Sequence, residues 1–250
     1  MISEFPLFVF TTLAGLSAGV YVANAAFPLA KERTAPWAFP LACLVLLGLG
    51  LLGCLMHLAR PELFLNGLAN PRAGIAQEAY LSIAYGVLLV VDLVVTWRMG
   101  DAPRALRAVC AVAALGLAVV MGCAYTGNLA TPAWTTWATV PLFVVGDLAM
   151  GFALRGVLSV GAYRSGAFLG TTAVMVGLFA VAVGFEAAHF AGLDLNMMPF
   201  VVAAALAVAA ALAAVLARKG AGRAVPLAVL ICAVAAVCVA RLAFYAASIV

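Results

Sequence analysis

The stretch Cys54–Tyr80, CLMHLARPELFLNGLANPRAGIAQEAY, decides the fold. It is a polar hinge between two apolar runs, roughly 38–58 before it and 74–97 after it, each long enough as a helix to cross a hydrocarbon core about 30 Å thick. The hinge concentrates rare residues. It holds His57, one of two histidines in the chain, together with Arg60 and Glu78, where charged residues are 9% of the total. Pro61 should end the first helix just after His57. The stretch therefore reads as the turn of a transmembrane hairpin with titratable groups at its rim.

The same pattern repeats outward along all 250 residues, 68% of which are hydrophobic, with a mean hydropathy of +1.22. A soluble domain is nearer half apolar and a quarter charged. The chain is therefore an all-α integral membrane protein, with eight spans at roughly 5–30, 38–58, 74–97, 105–126, 134–156, 166–190, 198–217 and 225–248. The runs are too long and too evenly apolar for alternating barrel strands. The connections are short, so residues 1–250 read as a single polytopic membrane domain. The opening MISEFPLFVF has Glu4 in place of a basic leader, so the first span is expected to stay in the protein. The net charge of +4 and pI near 8.8 point to basic loops, not to nucleic acid. The cysteines at 43, 54, 110, 123, 232 and 238 all fall in apolar runs and form no C-x-x-C, which suits small buried hydrophobes better than a metal site.

The basic residues give an orientation. Lys31 and Arg33, then Arg98, Arg104 and Arg107, then Arg155 and Arg164, then Arg218, Lys219 and Arg223 all fall in odd-numbered loops. By the positive-inside rule those loops are cytoplasmic and both termini face outward. The rarer polar residues gather at the opposite, outer end: Glu4, His57, Arg60, Glu62, Glu78, Tyr125, Asn128, Glu186, His189 and Asp194, with Arg241 in the outer half of the last span.

His57 and Glu78 flank one hairpin and can face each other. An imidazole and a carboxylate at the membrane edge suit a two-electron, two-proton couple such as a quinol, whose oxidation needs bases for its hydroxyl protons. The plainer reading is a pair of interfacial polar groups bonded across the hairpin. His57 and His189 could also ligate one haem b. The sequence EAAH, Glu186–His189, matches half of a di-iron bundle motif, which needs a second copy. Asp92 and Asp147 lie deeper, as paired polar groups or as a proton path. The latter keeps a small transporter open as an alternative. Gly15 and Gly19 form a G-x-x-x-G suited to close helix packing.

Five landmarks carry a family resemblance. They are EFPLFVFTTLAGLSAG at 4–19, MHLARP at 56–61, AQEAY at 76–80, AYTGNLATPAWTTWATVP at 124–141 and ARLAFY at 240–245. In this order the chain resembles the membrane-anchor subunit of dimethyl sulfoxide reductase and its relatives among the polysulfide-reductase-like anchors. The resemblance implies eight spans in the cytoplasmic (inner) membrane and a role in anaerobic electron transport. It implies two partners on the outer face, a ferredoxin-like iron–sulfur subunit and a catalytic subunit with a molybdenum or tungsten bis-pterin. It further implies menaquinol as electron donor, no haem or metal in this chain, and a terminal acceptor such as an S- or N-oxide. His57 and Glu78 match the family's quinol-site residues. Arg60, Tyr125 and Arg241 are expected to join them, with Glu186 and His189 as an expected proton path.

Overall fold

The computed structural model describes residues 4–29, 35–58, 60, 64–159, 161–218 and 222–247. Lys31, Arg33, Glu62 and Lys219, used above for orientation or for the outer cluster, lie outside the described residues. Helices α1 (Phe5–Ala26), α2 (Ala38–His57), the single turn α3 (Phe64–Gly67), α4 (Gly74–Met99), α5 (Arg104–Thr126), α6 (Thr139–Leu158), α7 (Gly166–Gly192), α8 (Met198–Ala217) and α9 (Ala224–Ala246) follow in order. Eight of them are long and apolar enough to cross a membrane.

Prolines set the ends that differ from the expected spans. The first helix stops at Ala26, not at 30, because Pro28 disfavours helical backbone at Phe27. The sixth element begins at Thr139, not at 134, because Pro132–Trp134 winds a separate 3-10 turn. Pro141 then falls in the first turn of α6, where a missing N–H costs nothing. Gly100, in the left-handed region at φ 79°, closes α4, and its N–H reaches the Thr96 carbonyl.

Helices α1, α2, α4 and α5 pack as one group and α6 to α9 as another, with α1 against α6 as the main seam. Burial marks α1 and α6 as the axis: 56% and 61% of their most apolar windows are buried, against 33–39% in the other spans. Glycine makes the seam possible. A Cβ at Gly19 would lie 1.9 Å from the Asp147 carbonyl oxygen, and one at Gly151 1.9 Å from the Gly19 carbonyl carbon. The two backbones touch, which is the close-packing role expected for Gly15 and Gly19.

Inside this apolar frame α4 carries a polar face. Glu78, Ser82, Tyr85, Asp92 and Thr96 recur at helical spacing and all are buried. Asp92 accepts from Tyr21 at 2.6 Å and from Thr96 at 3.0 Å, and Tyr85 bonds Ser17 on α1. The start of α1, the end of α2, the start of α4 and the end of α5 meet at one end of the bundle and leave a cleft between them.

Candidate functional site

The cleft has a volume of about 490 Å³. That lies within the range of small-molecule sites and is ample for a bicyclic headgroup. Glu4, His57, Glu78, Tyr125, Asn128 and Trp134 line it, with Leu7, Cys54 and Ile75 as apolar wall. Three residues expected at a quinol site, His57, Glu78 and Tyr125, thus share one cavity although they come from α2, α4 and α5.

Each is positioned differently. His57 is the last residue of α2, and its Nδ1 lies 3.0 Å from Glu4 Oε2. The carboxylate beside it is therefore Glu4, just ahead of α1, and not Glu78 across the hairpin, at ion-pair distance but without an aligned hydrogen bond among the described residues. Glu78 lies in the first turns of α4 and is 7% exposed, and its Oε1 is buried with no partner among the described residues. Ser82, one turn further along the same face, also has a buried hydroxyl with no partner among the described residues. Burying unbonded oxygens of this kind costs a few kcal/mol unless a ligand or water completes them. The hairpin is closed by the Tyr80 hydroxyl, which donates to the Leu68 carbonyl.

Tyr125 is held by a block of rings. It stacks on Phe143 at 5.3 Å and meets Trp134, Phe244 and Tyr245 edge-on. Trp134 is fixed in turn by its indole N–H, which donates to the Phe244 carbonyl at 2.7 Å. The Tyr245 hydroxyl donates to the Tyr125 hydroxyl at 2.8 Å. That leaves the Tyr125 O–H itself as a donor at the cleft wall.

The remaining expected residues lie elsewhere. Arg60 is exposed beyond the end of α2 and does not line the cleft. Arg241 is fully buried behind the cleft. It donates to Asp147 Oδ1 at 2.6 Å, to the Thr11 carbonyl at 2.7 Å and to the Phe143 carbonyl at 3.3 Å. Its guanidinium also lies 4.7 Å from the Phe143 ring centre. It reaches the cleft only through others: Thr11 Oγ1 bonds Tyr245, which bonds Tyr125. Glu186 is fully buried and accepts from Thr139 Oγ1 at 3.0 Å, while His189 Nε2 bonds the Pro132 carbonyl at 3.1 Å. Neither lines the cleft, although Trp134, one residue group away, does.

Glu4 and Trp134 line the cleft although neither was expected at the quinol site from the sequence. Trp134 lies in a turn with no periodic signal. Glu4 could have been suspected as a carboxylate at the head of a span beside Pro6. Among the described residues no group of three or more His, Cys, Asp or Glu side chains gathers as a metal site.

The cleft can therefore offer a polar ligand an imidazole, a buried carboxylate and a phenol donor within an aromatic and aliphatic enclosure. No individually curated protein matches the chain. Among known families, the DMSO reductase anchor subunit (DmsC) family matches residues 1–246, which is nearly the whole chain. The eight spanning helices and this match together place the protein as the membrane anchor of a DMSO reductase-type complex, and the chain belongs to the DMSO reductase anchor subunit family.

Proposed function

We propose that this anchor binds menaquinol in the cleft, oxidises it, and passes the electrons to an iron–sulfur subunit docked over the same end of the bundle. A partner carrying a molybdenum or tungsten bis-pterin then uses them to reduce an acceptor such as an S- or N-oxide. The observation that carries this reading is the cleft itself. It combines a buried, unpartnered Glu78 oxygen with His57 and Tyr125 in a volume of about 490 Å³.

The chemistry follows from the donor set. Oxidation of a quinol releases two protons and two electrons. One hydroxyl hydrogen-bonds the ring nitrogen of His57 away from Glu4, and its proton moves there. The other proton goes to Glu78, whose bare oxygen awaits a donor. Tyr125 donates to a quinone oxygen and so favours the product as its carbonyl forms. The electrons leave one at a time to the partner's nearest cluster. The basic loops at the far end support an orientation with the cleft on the outer side of the cytoplasmic membrane. Quinol protons are then released on the side where the acceptor is reduced, and no net charge crosses the bilayer.

The test uses the intact complex with His57→Gln and Glu78→Gln. Turnover driven by a menaquinol analogue is expected to fall about 100-fold or more, the scale of a lost general base. Turnover driven by a reduced viologen dye, which feeds the partner subunits directly, is expected to persist. Unchanged quinol-driven turnover in both variants would overturn the proposal.

A further inference from the structure

We propose that Glu4 is a positioning residue of this cleft. Its carboxylate lies against Nδ1 of His57 and stabilises the charge that forms on the ring when it takes a proton from the ligand. The inference rests on the quinol reading above and assigns a residue which that reading leaves as part of the wall.

Three observations carry it. Glu4 Oε2 lies 3.0 Å from His57 Nδ1, and both residues line the cleft. Glu4 occupies the N-cap position of α1, yet its side chain makes no capping hydrogen bond there. An acidic side chain at that position ordinarily serves the helix N-terminus, which favours negative charge. Here the carboxylate reaches His57 instead. Finally, His57 is the last residue of α2, where the chain leaves the helix with Leu58 in extended backbone. The Glu4 carboxylate is the charged group that α1 places against the ring at that point.

The consequence is chemical. A neutral imidazole has one N–H and one lone pair. A carboxylate beside Nδ1 favours the proton on that nitrogen electrostatically, which leaves Nε2 as the acceptor. A quinol hydroxyl can then donate to Nε2. When the O–H bond breaks, its proton forms the second N–H of the ring and its electron leaves to the partner's iron–sulfur cluster. The resulting imidazolium lies against the Glu4 carboxylate, which stabilises the charge at the moment it appears. Glu4 itself neither touches the quinol nor takes its proton.

The experiment is Glu4→Gln in the intact complex, with Glu4→Ala as a second variant in case the amide mimics the carboxylate. For each, kcat with a menaquinol analogue, the dissociation constant of a fluorescent quinol-site inhibitor, and viologen-driven turnover are measured. His57→Gln and the Glu4→Gln/His57→Gln double variant complete the set. Loss of a charged partner to a functional histidine is expected to lower kcat about 10- to 100-fold, with inhibitor affinity and viologen-driven turnover retained. The double variant should be no slower than His57→Gln alone, because Glu4 acts through His57. Wild-type kcat in both Glu4 variants would overturn the proposal. So would parallel losses of kcat, affinity and complex yield, which mark a merely structural tie between α1 and α2. If His57→Gln itself turns over quinol normally, the role given to His57 fails, and that result is separate from the Glu4 outcome.

Discussion

Asp147→Ala should destabilise the anchor more than any exposed change, because it strands a buried charge. Asp147 and Arg241 are both fully buried and meet at 2.6 Å. Removing the carboxylate leaves a guanidinium with two carbonyl oxygens and the Phe143 face as its only described partners. Orphaning one member of such a pair costs about 3–5 kcal/mol, whereas replacing both by apolar residues is often neutral. At about 2–4 °C per kcal/mol for a chain of this size, Asp147→Ala should lower Tm by about 10 °C. The double variant Asp147→Val/Arg241→Met should recover at least half of that loss. Cys43 and Cys110 are buried free thiols. A fluorogenic thiol dye, added after the exposed Cys123 is blocked, therefore reports unfolding in detergent. If the double variant melts as low as Asp147→Ala, the stranded charge is not the cause and this account of the core is refuted.

Three further outcomes follow from the packing and the charge pattern. Gly19→Ala forces α1 and α6 apart and should cost about 3 kcal/mol or more, while Gly48→Ala, with open space around its Cβ, should stabilise by about 0.5–1 kcal/mol; equal thermal shifts would refute the seam. Arg155→Met removes two donors from the carbonyls of Phe27 and Pro28 at the end of α1; a loss of about 3 kcal/mol is expected, and no change in Tm would dismiss Arg155 as a clamp. In a cysteine-free background, Asn128→Cys should react with an impermeant maleimide on intact cells and Ser165→Cys only after permeabilisation; the reverse pattern would invert the orientation and move the quinol partners to the cytoplasm.

The spans were legible because a membrane helix needs a long apolar run, and composition alone reveals that. Their ends were less so. Apolarity continued past Ala26 and before Thr139, and only backbone geometry at Pro28 and Pro132 cut the helices short. The site was legible residue by residue, not pair by pair. His57, Glu78 and Tyr125 stood out as rare polar groups at span ends or through the family landmarks, and they line one cleft. The approach of His57 to Glu4 depends on how α1 enters beside α2, which no local spacing encodes. Glu186 and His189, three apart on one helix, looked like a unit, yet one turns to Thr139 and the other to Pro132.

The same limit explains Arg241. Its place in the ARLAFY landmark suggested a ligand-binding cation, but its charge is answered inside the bundle by Asp147. What it does for the cleft is mechanical. It holds the Thr11 carbonyl, while the Thr11 side chain bonds Tyr245, whose hydroxyl donates to Tyr125 at the wall. Helix α1 is thus shared by the packing seam and the cleft. Gly15 lets Asp147 approach so closely that a Cβ there would lie 1.9 Å from its Oδ1. Thr11 stands one turn earlier, and Glu4 lies at the helix head. A change at Arg241 should therefore weaken stability and ligand affinity together, by displacing Tyr125. A change at Glu4 should lower kcat alone. That contrast separates a residue that builds the site from one that tunes its chemistry.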